Sequence, residues 1–127
     1  MHSDEADVRR FLADYYRVFS SLAVNAILPY FHEPALLIFP TAVVAAPTSE
    51  ALATIFGRTM EDLRARGYGR SEFEMREFRQ MGTSAASATG VAVRYKTDGQ
   101  ELERVDLTYV LWKARADWKI TAMTLHG

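Results

Sequence analysis

The sequence predicts an α+β domain, with helices in the first half and a long antiparallel sheet in the second. Three observations carry this reading. Apolar residues recur at helical spacing from Val8 to Leu22, and again from Leu52 to Leu63. The stretch from Glu72 to Leu125 reads as strands throughout, and Asp98-Gly99 within it marks a two-residue hairpin turn. Helices followed by a run of strands in 127 residues mean one α+β domain spanning 1–127.

The elements follow in order. Ser3 is placed to cap a first helix, with Asp4 and Glu5 favourable in its first turn. Val8, Leu12, Tyr15, Phe19 and Leu22 form its apolar stripe, and Tyr16, about 100° further round, falls at the stripe's edge. Ser20 and Ser21 interrupt the stripe. A short second helix covers 22–28, and Pro29 ends it because proline lacks the N–H and clashes with the preceding turn. His32, beside Glu33 and Pro34, reads as a surface turn.

Ala35 to Phe39 and Ala42 to Ala46 then read as short strands around Pro40-Thr41. Thr48 or Ser49 caps the next helix, which buries Leu52, Ile55, Phe56, Met60 and Leu63. Gly67 and Gly69 stop it after Arg64 and Arg66. The β half comprises 72–81, 84–95, 105–113 and 118–125. Pairing outward from Asp98-Gly99 sets Lys96 against Glu101 and Arg94 against Glu103, two opposite-charge pairs that support the register.

Alternation sorts the faces of this sheet. Val105, Leu107, Tyr109 and Leu111 share a side with Ile120, Ala122, Thr124 and His126; Val91, Val93, Val110, Trp112, Met123 and Leu125 take the other. Both sides are largely apolar, whereas a sheet with one face in water alternates with polar residues. One side is expected to cover the helices. The other is expected to meet a second copy of the chain through Val91, Val93, Val110, Trp112 and Met123. Asp106 interrupts that outer side beside Arg104 and Thr108.

Composition narrows the function classes. The chain has no cysteine, which excludes disulfides, thiol nucleophiles and thiolate metal sites. A formal net charge of −1, with arginines spread among acids, argues against a nucleic-acid or anionic-membrane surface. No apolar run reaches the ~20 residues of a membrane helix, and the start MHSDEADVRR lacks a signal peptide's apolar core. A cytoplasmic protein is the expectation. His2, His32 and His126 show no ligand spacing, and no Gly-rich phosphate loop occurs, so neither metal nor cofactor is expected.

The helix from Val8 to Leu22, the phrase ILPYFHEPALLIFP and the closing YVLWKARADWKITAMTLHG resemble the nuclear transport factor 2-like superfamily. That superfamily includes the SnoaL-like polyketide cyclases and the ketosteroid isomerases. The resemblance covers nearly the whole chain and implies a conical half-barrel, with N-terminal helices packed on a curved mixed or antiparallel sheet. It also implies a deep apolar pocket and a homodimer joined through the outer sheet face. The isomerases use an Asp base and an oxyanion hole of Tyr and protonated Asp. Their tyrosine falls at Tyr15, but their Asp-Pro becomes Phe39-Pro40, their second Asp falls near Tyr109, and a late Phe becomes His126. Steroid isomerisation by that mechanism is therefore not expected.

The remaining polar groups define the site expectation. Tyr15 and Tyr109 would donate hydrogen bonds to one oxygen of a small, mainly apolar ligand, as a neutral oxyanion site. If the last strand runs to its end, alternation turns His126 inward, where its imidazole would move a proton at neutral pH. Phe39, Phe56, Leu111 and Thr124 would complete the wall. The expected function is ligand binding in the cone, with isomerase, cyclase or dehydratase-type chemistry as its extension. The alternative is a non-catalytic homodimerisation or scaffold domain whose aromatic residues fill the cone.

Overall fold

The computed structural model describes residues 4–127. Helix α1 spans Asp4–Phe19 and buries Val8, Leu12, Tyr15, Tyr16 and Phe19. The predicted stripe is therefore real and one residue wider, since Tyr16 is only 7% exposed. The expected cap Ser3 and His2 lie outside the described residues. Helix α2 is one turn, Val24–Ile27, and a 3₁₀ turn, Leu28–Tyr30, follows with Pro29 inside it. Helix α3 runs Ser49–Ala65, with the Thr48 hydroxyl accepting from the Ala51 N–H at 3.2 Å.

Six strands form one sheet: β1 Phe31–Phe39, β2 Ala42–Ala46, β3 Tyr68–Met81, β4 Ala85–Lys96, β5 Glu101–Ala114 and β6 Asp117–Leu125. Their order is β2-β1-β6-β5-β4-β3. β1 lies parallel to β6 and every other neighbouring pair is antiparallel, so the sheet is mixed. The helices pack on its concave side, giving the α+β cone expected. No helix of the described residues is long and apolar enough to cross a membrane.

Three local expectations change. β1 begins at Phe31, so His32 sits in a strand, its ring edge-on to Trp112 at 5.3 Å. The β4–β5 connection is longer than two residues: the Lys96 N–H donates to the Gln100 carbonyl, and Gly99 takes a positive φ of 91°. The register slips there, so Tyr95 opposes Glu101 while Arg94 still opposes Glu103.

The third change matters most. β5 and β6 pair Val110 with Ala122 but Leu111 with Ile120, so Thr121 is an extra residue, and its hydroxyl donates to the Val110 carbonyl at 3.1 Å. A bulge of this kind reverses which side each later residue faces. Ile120 points into the core, fully buried. After the bulge Met123 and Leu125 face inward, and Ala122, Thr124 and His126 take the outer side.

One glycine is demanded by close approach. A Cβ at Gly90 would lie 2.0 Å from the Glu74 carbonyl oxygen and 2.9 Å from the tip of the Phe73 ring. Gly90 thus lets β3 press onto β4 and lets Phe73 lie flat over the sheet.

Candidate functional site

The concave side encloses a cavity of about 120 Å³. Its floor is aromatic. Tyr15, Tyr16 and Phe19 come from α1, Phe56 from α3, and Tyr109 from β5. Helical spacing sets the α1 residues over the sheet, and the parity of β5 aims Leu107 and Tyr109 at them. Towards the rim stand Phe39, Ile55, Thr59, Val105 and Leu125, all less buried than the floor.

The polar groups are few and placed together. The Tyr16 and Tyr109 hydroxyls lie 2.5 Å apart, and Tyr16 stacks on Phe73 at 5.3 Å. Tyr15 packs edge-on to Tyr16, Phe31 and Tyr109. Its hydroxyl makes no hydrogen bond among the described residues. The one sealed, unpartnered side-chain polar atom among them is Trp118 Nε1, so the Tyr15 hydroxyl borders the open cavity. Burial pushes the pKa of all three tyrosines up, with a further push on Tyr15 and Tyr109 from Tyr16. All three are neutral hydroxyls at physiological pH.

Among the described residues, one charged group reaches the wall. Arg94 follows Ala92 on the inner face of β4 and lines the cavity. Its guanidinium pairs with Glu103, which Arg66 also binds at 2.6 Å; Arg66 in turn binds Asp62 at 3.1 Å. Burial would raise the Glu103 pKa, but the hydrogen bonds from Arg66 and Arg94 outweigh it and hold the carboxyl below its usual range. Beside Arg94, Ser71 is tied to the Tyr68 hydroxyl at 2.5 Å, and its N–H donates to Ser20 Oγ at 3.0 Å. These bonds lock the end of α1 to β3.

The sequence-predicted residues divide into two groups. Tyr15, Phe39, Phe56 and Tyr109 line the cavity together. Leu111 is fully buried in the solid core and does not border it. Thr124 and His126 lie on the outer side because of the Thr121 bulge. The His126 ring is exposed, its Nε2 2.9 Å from the Thr108 hydroxyl, and the backbone N–H of His126 donates to the Asp106 carbonyl. His126 is thus not a proton mover for this cavity. Met123, expected at a subunit contact, is cavity wall instead.

Sequence reasoning missed Tyr16 and Arg94. Tyr16 carried no signal beyond its neighbour, because the width of the stripe depends on what packs against it. Arg94 had a usable one: its partner Glu103 shares parity with Leu107 and Tyr109, which places the ion pair on the inner face.

Among the described residues lining the cavity, none is a carboxylate, histidine or lysine. The arrangement can donate hydrogen bonds to a ligand oxygen. Among the described residues it presents no group to remove a proton, since its tyrosines hold theirs.

Comparison with known proteins places the fold. The family model described as NTF2-like protein (DUF6841) matches residues 4–127. No curated protein matches. Among solved structures, an NTF-2 like protein of unknown function from Shewanella oneidensis aligns with a TM-score of 0.79 at 15% identity, covering 97% of this chain and 98% of that one. A protein of unknown function with a cystatin-like fold from Nostoc punctiforme aligns with a TM-score of 0.78 at 15% identity, over 96% and 89%. A ketosteroid isomerase-like protein from Erwinia carotovora atroseptica aligns with a TM-score of 0.74 at 15% identity, over 100% and 99%. At such identities the likeness concerns the fold alone.

Proposed function

The chain belongs to the NTF2-like protein family DUF6841, and from that premise we propose that it binds a small, mainly apolar molecule through a ligand oxygen. The observation that carries this reading is the unspent donor capacity in a largely aromatic cavity. Tyr15 has its hydroxyl hydrogen free. The Tyr16–Tyr109 pair shares one bond between two hydroxyls, leaving a second hydrogen. Apolar cavities with a few convergent polar groups are the usual ligand sites.

Binding is favoured over proton-transfer catalysis because the wall offers donors and no base. Size restricts the ligand as well. A cavity of roughly 150 Å³ holds benzene, so about 120 Å³ suits one ring or a branched chain and not a four-ring steroid.

The scaffold reading draws on that same small volume, since a cone nearly filled by its own aromatic residues needs no ligand. Soaking crystals with benzaldehyde discriminates the two. Density for the aldehyde, with its oxygen against Tyr15 or the tyrosine pair, supports the binding module. An unchanged, empty cavity at saturating probe supports the scaffold.

Homodimerisation through the outer sheet face belongs to the same proposal, with a revised patch. Trp112 is 40% exposed and Leu36 38%, and Val110, Ile38 and Ala122 lie on the same side of adjoining strands. Val91 and Val93 also face outward but are already 97% buried within one chain, between Glu72, Glu74, Arg104 and Asp106 on neighbouring strands. Cytoplasmic residence completes the proposal and rests on composition.

A further inference from the structure

We propose that the ligand is a small monoanion, a carboxylic acid of one ring or a similar branched chain, bound through its carboxylate to Arg94 and the tyrosine hydroxyls. This rests on reading the cavity as a ligand site and adds the charge and size class of what enters it.

The charge follows from what the wall contains. Arg94 is the one charged residue bordering the cavity among the described residues. The other polar side chains there are the hydroxyls of Tyr15, Tyr16, Tyr109, Thr59 and Ser71. An ammonium ion would meet an arginine and no carboxylate. A carboxylate would meet a guanidinium and two hydroxyl hydrogens that nothing else takes. Such a group survives burial only when it accepts two or three hydrogen bonds. The wall supplies that number.

Arg94 is held so that it can serve a ligand. Its hydrogen bond goes to Glu103 through Nη1, and no other partner occurs among the described residues. A guanidinium carries five N–H donors in a fixed fork, so most remain available. Glu103 is shared with Arg66, and Arg66 with Asp62. The row Asp62–Arg66–Glu103–Arg94 alternates in sign, is neutral in sum, and ends on Arg94, the member that borders the cavity. That field reaches the floor: burial raises the pKa of Tyr15, Tyr16 and Tyr109, while the Arg94 charge acts on each in the opposite sense.

Three one-ring probes of similar size test this, with binding measured by titration calorimetry near neutral pH: benzoate, benzaldehyde and benzylamine. Benzoate is expected to bind tightest and benzylamine not to bind. In Arg94→Met the benzoate affinity should fall at least about tenfold further than the benzaldehyde affinity, as loss of a charge-assisted fork predicts. Equal losses for both probes would mean that Arg94 only shapes the cavity, and the inference would fail. Benzaldehyde binding with no preference for benzoate overturns the inference and leaves the binding module standing. If none of the probes binds at saturation, both readings fall. Should Arg94→Met not fold, Arg94→Gln removes the charge and keeps a polar side chain in its place. A selective loss for benzoate then supports the inference, and undiminished benzoate affinity overturns it.

Discussion

The Tyr16 and Tyr109 hydroxyls meet at 2.5 Å, joining the first helix to the fifth strand across 93 residues of sequence. One of the two must donate, which leaves the other's hydrogen unused within the pair. The contact therefore fastens α1 to the sheet.

This fastening is measurable by a mutant cycle. Tyr16→Phe and Tyr109→Phe should each cost about 1 kcal/mol, the net worth of an ordinary hydrogen bond. The double variant should cost less than the sum of the two, because the second change removes a partner already lost. Urea unfolding of all four proteins gives the coupling. Strict additivity would show that the two hydroxyls do not interact in solution.

The tyrosine titration supplies a pH test. Tyr15, Tyr16 and Tyr109 have folded pKa values raised above the unfolded value near 10.0. Raised values mean that their contribution to stability is complete below pH 10 and is lost as pH climbs towards the folded values. Ultraviolet titration of the six tyrosines should therefore leave these three silent until alkaline unfolding. Reversible ionisation of all six in the folded protein would contradict the burial described.

Phe39→Asp restores a carboxylate where the isomerases carry one. Phe39 stands at the cavity rim and is only half-buried, so the variant should fold. Apolar surroundings should raise the new carboxyl above its usual ~3.9. The variant is then expected to lose stability as pH rises from that value through the raised one, which denaturant unfolding at several pH values would register. A variant unfolded at every pH would place Phe39 in sealed core.

Gly90→Ala tests the close approach of β3. With a Cβ 2.0 Å from the Glu74 carbonyl oxygen, backbone must move, at a cost of about 3 kcal/mol. Phe73 would be pushed off the sheet, which breaks its stacking on Tyr16. A melting temperature equal to that of the wild type would refute the crowding.

Trp112→Glu addresses the outer face. If two copies meet there, a charge on the face that Leu36 and Val110 share should yield monomer or aggregate, as buried unpaired charge is strongly disfavoured. Light scattering gives the mass. A dimer of unchanged mass would move the interface elsewhere, and a monomeric wild type would remove it.

What the sequence determined by itself is everything that repeats locally. The stripes of α1 and α3, the Thr48 cap and the Arg94–Glu103 pairing were legible because helical period, capping and strand alternation involve neighbours in the chain. The cavity wall at Tyr15, Phe39, Phe56 and Tyr109 followed from those periods and from family resemblance. Tertiary structure alone decided the rest. Thr121 becomes a bulge only because β5 holds both Val110 and Leu111 in register, and that single extra residue turns Met123 inward and His126 out. Tyr16 joins the site only because Tyr109 and Phe73 arrive beside it. Periodicity carries a face along one strand, but it cannot count a residue that the neighbouring strand forces out of step.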